Sequence, residues 1–93
     1  MSDRIETKIK SPFTKEEWEG LEEGDVIIDA DGKQWAVLGP SKKTSFGFAL
    51  ILQCKGYPPE DYALIDDRII ELEEWAADVC LNHPEARIVK QSA

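Results

Sequence analysis

The dipeptide Asp31-Gly32 sits between two apolar stretches, Val26-Ile27-Ile28 and Trp35-Ala36-Val37. A two-residue type I′ turn needs positive φ at both central positions, which Asp-Gly tolerates. Placing the turn there pairs Ala30 with Lys33, Ile28 with Trp35 and Val26 with Val37. The bulky apolar residues of 25–38 then share one face, apart from Ile27 and Leu38. Turn chemistry and alternation agree, and together they predict a β-hairpin over 25–38.

The flanking segments add to it. Ile5, Thr7 and Ile9 alternate, which predicts a short strand over 5–10. Thr14-Lys15-Glu16-Glu17 is a capping box, with Phe13 and Trp18 placed as a hydrophobic staple. A short helix over 15–19 follows, stopped by Gly20, with Leu21 entering the core. Residues 39–45 read as a polar loop. Phe46 to Cys54 reads as a strand whose two faces are both largely apolar, so a central one. Ala86 to Lys90 reads as a terminal strand, able to pair near the N-terminal strand or the hairpin.

Residues 60–82 support two readings. In one, Tyr62, Ile65, Ile69, Leu72, Ala76 and Val79 form the stripe of a single helix. In the other, 62–65 and 68–72 form a hairpin around Asp66-Asp67, followed by a helix over 73–82. The β-branched Ile65, Ile69 and Ile70 favour strands, and no polar residue caps a helix at Tyr57-Pro58. The resulting fold class is α+β: a small curved antiparallel sheet, SH3-like in character, with a short N-terminal helix and a C-terminal helix packed on it. The expected core is Trp18, Leu21, Val26, Ile28, Trp35, Val37, Phe48, Leu50, Leu52, Ile69, Leu72, Trp75, Val79 and Ile88. Ile27, Leu38, Ile51, Tyr57 and Leu81 fall off the expected core face.

At 93 residues this is a single domain with a small core. The 19 acids against 11 bases disfavour direct binding to nucleic acid or to an anionic membrane. No apolar run approaches a membrane span, and Met1 to Glu6 lacks the apolar segment of a signal peptide. Cys54 and Cys80 sit in apolar stretches and read as buried free thiols. A reduced, soluble, cytoplasmic protein is expected.

Individual motifs point away from catalysis. Asp29-Ala-Asp31-Gly32 resembles the start of a calcium loop but lacks the later ligands. Gly39 to Ser45 resembles a phosphate loop but lacks its second glycine and a following helix. His83 is the sole histidine and is placed to cap the C-terminus of the expected helix. No catalytic residue, metal or cofactor is expected. The acids do cluster: 16–31 carry eight and no base, and 60–78 carry eight against Arg68 alone. Glu16, Glu19, Glu22 and Glu23, the exposed Tyr57, and the doubly basic Lys42-Lys43 are the candidate partner-binding residues.

Leu21-Glu-Glu-Gly24, an apolar strand, Asp29-Ala-Asp31-Gly32 and Trp35 together resemble the opening of small accessory proteins of actinobacterial phages and prophages. Asn82-His83-Pro84 to Val89 is similar to their ending. The likeness covers about a third of the chain and leaves out the middle, Phe46 to Trp75. It implies a small non-enzymatic protein that binds a host or phage protein in the host cytoplasm. Two alternatives stand beside it: a structural homo-oligomer, a homodimer among the possibilities, or virion component, and an acidic mimic of nucleic acid that inhibits a nucleic-acid-binding protein.

Overall fold

A computed structural model describes residues 11–91; the strand expected over 5–10 lies outside them. The elements are α1 (Lys15–Glu19), β1 (Val26–Ile28), β2 (Gln34–Val37), β3 (Lys42–Lys43), β4 (Phe48–Cys54), β5 (Glu60–Ile65), β6 (Arg68–Glu71), β7 (Ala76–Ala77) and β8 (Arg87–Val89). All the strands join one antiparallel sheet, in the order β7-β6-β5-β4-β2-β1-β8. The short β3 pairs with the early part of β4, and β2 with the late part. The sheet curls into a half-barrel with β4 near its middle.

The pairing decides which side chains face inward, because directly opposed residues lie on the same face. Ile88, Ile27, Trp35 and Cys54 form one row. Val37, Leu52 and Glu60 form the next, then Leu50, Tyr62 and Glu71, then Phe48, Leu64 and Ile69. These rows line the inner face. Ile27, Val37, Leu50, Leu52 and Ile69 are fully buried there.

The helix closes one end of this face. Thr14 Oγ1 accepts from the Glu17 N–H at 3.1 Å, and Glu17 Oε1 accepts from the Thr14 N–H at 2.9 Å, so the capping box is complete. That fixes Trp18, whose indole N–H donates to the Phe48 carbonyl at 2.7 Å. Trp18 is wholly buried with its polar atom satisfied, as a buried indole requires. Phe13 and Leu21 fill the same cluster. Gly47 lets β4 begin beside β5, since a Cβ there would sit 2.8 Å from the Leu64 carbonyl oxygen.

The first hairpin forms, but its register differs from the expected one. Val26 faces Ala36, Ile27 faces Trp35 and Ile28 faces Gln34. The connection is the three-residue Ala30-Asp31-Gly32, bounded by an Asp29 N–H to Lys33 carbonyl bond of 3.0 Å. Gly32 alone takes positive φ, at 84°, which marks a turn followed by a bulge in place of a type I′ turn. Asp29 decides this: its Oδ1 accepts the N–H groups of both Asp31 and Lys33 at 2.9 Å. A slip of one residue exchanges the faces of a strand. Ile27 is therefore core, while Val26 and Ile28 are only half-buried.

The second hairpin matches its reading. β5 and β6 meet at Asp66-Asp67 with φ of 52° and 67°, as a type I′ turn requires. The C-terminal helix expected over 73–82 does not form. Residues 72–75 make a turn, with Trp75 at φ 53°, and β7 then pairs back on β6. The Asn82 side chain holds the rest in place by acting as a strand partner. Its Oδ1 accepts from the Ile69 N–H at 2.7 Å and its Nδ2 donates to the Ile69 carbonyl at 2.8 Å. Trp75 and Val79, expected in the core, are consequently 63% and 56% exposed, whereas Leu81 is fully buried. Leu72 is half-buried. His83 caps no helix; its Nδ1 accepts from the Glu85 N–H within a turn. The terminal strand pairs with the first hairpin through β1.

Candidate functional site

The end of the sheet opposite Trp18 is open. A cleft of about 210 Å³ lies there, where β2, the end of β4 and the start of β5 meet the turn at 78–80. Its aromatic walls are Trp35 and Tyr62, packed edge to face with ring centroids 5.6 Å apart. Tyr57 and Pro58, from the β4–β5 turn, stand at the mouth. Tyr57 is 61% exposed, and Gln53 Nε2 donates to its carbonyl at 3.0 Å, bracing the turn.

Acids surround these rings. Asp29 Oδ2 accepts the Trp35 indole N–H at 2.8 Å, so the turn that sets the hairpin register also orients the cleft wall. Asp78 enters from the other side, where its Oδ1 accepts from the Leu81 N–H at 3.2 Å. Burial raises the Asp78 carboxyl above its usual range, and the charge on Asp29 pushes it the same way. Burial likewise raises the Tyr62 hydroxyl, which Asp78, Glu71 and Glu60 reinforce. Lys33 is the one base in the lining.

Glu60, Glu71 and Glu73 offer carboxylate oxygens within 4.8 Å of one another. Glu71 titrates at about 7, chiefly because its carboxyl shares a hydrogen bond with Glu60 and secondarily through burial. The Cys80 thiol donates to Asp31 Oδ2 at 3.1 Å, and that bond, with burial, pushes its pKa up to about 11. It is a protonated thiol at neutral pH, and the thiolate is the form that acts as a nucleophile.

The partner-binding residues expected from sequence do not meet in one place. Glu16 and Glu19 lie on α1, with Glu22 and Glu23 after it, all exposed at the closed end. Lys42 and Lys43 form β3 against β4, also toward the closed end. Tyr57 alone reaches the open cleft. The acid clusters divide as well. Asp25 is buried and accepts from the Lys90 ammonium at 2.7 Å, the Gln91 N–H and the Glu22 N–H. Burial alone would raise its pKa, but these partners outweigh burial and hold it below the usual range. Asp29 is spent on the hairpin and Trp35.

Sequence reasoning missed Asp29, Glu60 and Asp78 as members of one cleft and took Trp35 for pure core. The Asp29-to-Trp35 spacing was a usable signal for one half of it. Nothing local brings Asp78 to Asp29 once 73–82 is read as helix. No family model, curated protein or solved structure matches this chain.

Proposed function

We propose that this chain is a non-enzymatic binding module that docks onto another protein through the open end of its curled sheet. The observation that carries it is the cleft itself, an aromatic-walled, acid-lined opening with an exposed tyrosine at its mouth. Aromatic side chains that are half-wet and rimmed by polar groups are a common composition for protein interfaces. The likeness to phage accessory proteins and an SH3-like reading of the curled sheet are consistent with it, and the likeness implies a host cytoplasm. Among the described residues, no helix is long and apolar enough to cross a membrane.

The test is capture of partners from a host extract, followed by reconstitution with each purified candidate. A purified protein that binds this chain at micromolar concentration or tighter, and loses binding when Tyr57→Ala is introduced, supports the module.

A homo-oligomer is the second reading, favoured by one observation. Phe46 and Trp75 are 41% and 63% exposed and pack on each other with centroids 5.6 Å apart. An exposed aromatic pair of this kind can be covered by a second copy. Ile27 and Leu81, which would have joined such a patch, are buried, which weakens it. Size-exclusion chromatography with light scattering decides between them. The mimic of nucleic acid is disfavoured because Asp25 and Asp29 are consumed internally, and Lys15 lies over the Phe48 ring amid the helix acids.

A further inference from the structure

We infer that the open cleft receives an arginine side chain from the partner protein, with its guanidinium against Trp35, Tyr57 and Tyr62 and facing the carboxylates of Asp78 and Glu60. This rests on the binding-module reading and names the chemistry of the partner.

Four observations lead to a guanidinium. The lining carries three carboxylates, on Asp29, Glu60 and Asp78, against the single ammonium of Lys33, so the cleft is net negative. Its walls are aromatic side chains, Trp35 and Tyr62 packed edge to face, with Tyr57 at the mouth, and a ring face attracts a cation that has shed part of its water. Apart from the neighbouring Glu71 carboxyl, Glu60 Oε1 is buried without a hydrogen-bond donor among the described residues. The volume, about 210 Å³, is below the ~300–1,000 Å³ of small-molecule pockets and suits one long side chain.

Arginine fits better than lysine. Its planar fork stacks on rings and bonds a carboxylate through two N–H groups at once, and it is more weakly hydrated than an ammonium. Asp29 supplies field in place of contact, because its oxygens already hold Trp35 and the turn. Asp78 and Glu60 are the groups that bond the incoming fork.

The experiment is a titration of the ¹⁵N-labelled protein with N-acetyl-arginine amide, followed by the Trp35 indole N–H resonance. Parallel arms use the lysine amide and the citrulline amide, which has nearly the shape of arginine without its charge. The expected result is a saturable shift of the Trp35 indole with arginine, little with lysine and none with citrulline. Asp78→Asn and Tyr57→Ala should each weaken it on the order of tenfold. The asparagine retains an acceptor for the Leu81 N–H, and Tyr57 is exposed, so both variants should fold. An unmoved Trp35 resonance overturns the inference, as do equal shifts with citrulline or lysine. If arginine fails while a purified partner still binds, this inference falls and the module stands. If arginine binds and no purified protein does, the module falls and the site stands.

Discussion

Trp18 and Trp35 occupy opposite ends of the same inner face and are treated in opposite ways. Trp18 sits beside the start of β4, wholly buried, its indole N–H on a backbone carbonyl. Trp35 sits beside the end of β4, half-buried, its indole N–H on a carboxylate. One end of the half-barrel is sealed by a capped helix with neutral partners. The other is left ajar and lined with charge. A small domain has little core to spare, so the open end gives up burial that the closed end keeps. The aromatic residue at each end is the same; its hydrogen-bond partner and its burial separate core from candidate site.

Substitutions should separate the ends by size of effect. Trp18→Ala should cost about 4 kcal/mol of unfolding free energy in urea, against about 2 kcal/mol for Trp35→Ala. Equal costs would mean that the open end is packed as tightly as the closed one. Asp29→Ala should cost about 3 kcal/mol, because it strands the Asp31 and Lys33 N–H groups and the Trp35 indole together. Its Trp35 emission should shift to the red. Asp66→Asn combined with Asp67→Gly should add about 1 kcal/mol, since both positions already hold positive φ.

Stability should also slope with pH. Glu71 is raised from 4.5 to about 7 by its shared hydrogen bond with Glu60, then by burial, then by the charges on Glu60, Glu74 and Glu73. A raised carboxyl favours the folded protein fully below its unfolded pKa, and that advantage is lost as pH rises through the folded one. Stability should therefore fall between about pH 5 and pH 8, and Glu71→Gln should flatten this part of the profile. A thermal midpoint that falls equally in wild type and variant would remove Glu71 as the cause.

The closed end was legible because its determinants are local. A capping box and a staple lie within six residues of Trp18, and Leu21 follows directly. The Asp66-Asp67 hairpin was legible for a similar reason, with β-branched flanks and two residues that accept positive φ. The open end depended on contacts that no local pattern carries. Asp31-Gly32 suggested a two-residue turn, but the Asp29 side chain gathers two backbone donors and lengthens the loop by one residue. Ala30 N–H then bonds the Cys80 carbonyl, some fifty residues on. Over 73–82, apolar spacing imitated a helix, yet Asn82 outcompetes it by offering Ile69 both a donor and an acceptor. The helix pattern would also have buried Trp75 and Val79, which the structure leaves at the surface.

Hydrogen exchange of the indole N–H groups tests the contrast between the two ends directly. The Trp18 indole should exchange only through global unfolding, at a free energy matching that from urea. The Trp35 indole should exchange well before that, through local opening at the cleft, while Trp75 should show little protection. A Trp35 indole as slow as that of Trp18 would contradict the account, because the cleft would then be sealed core and not an entrance.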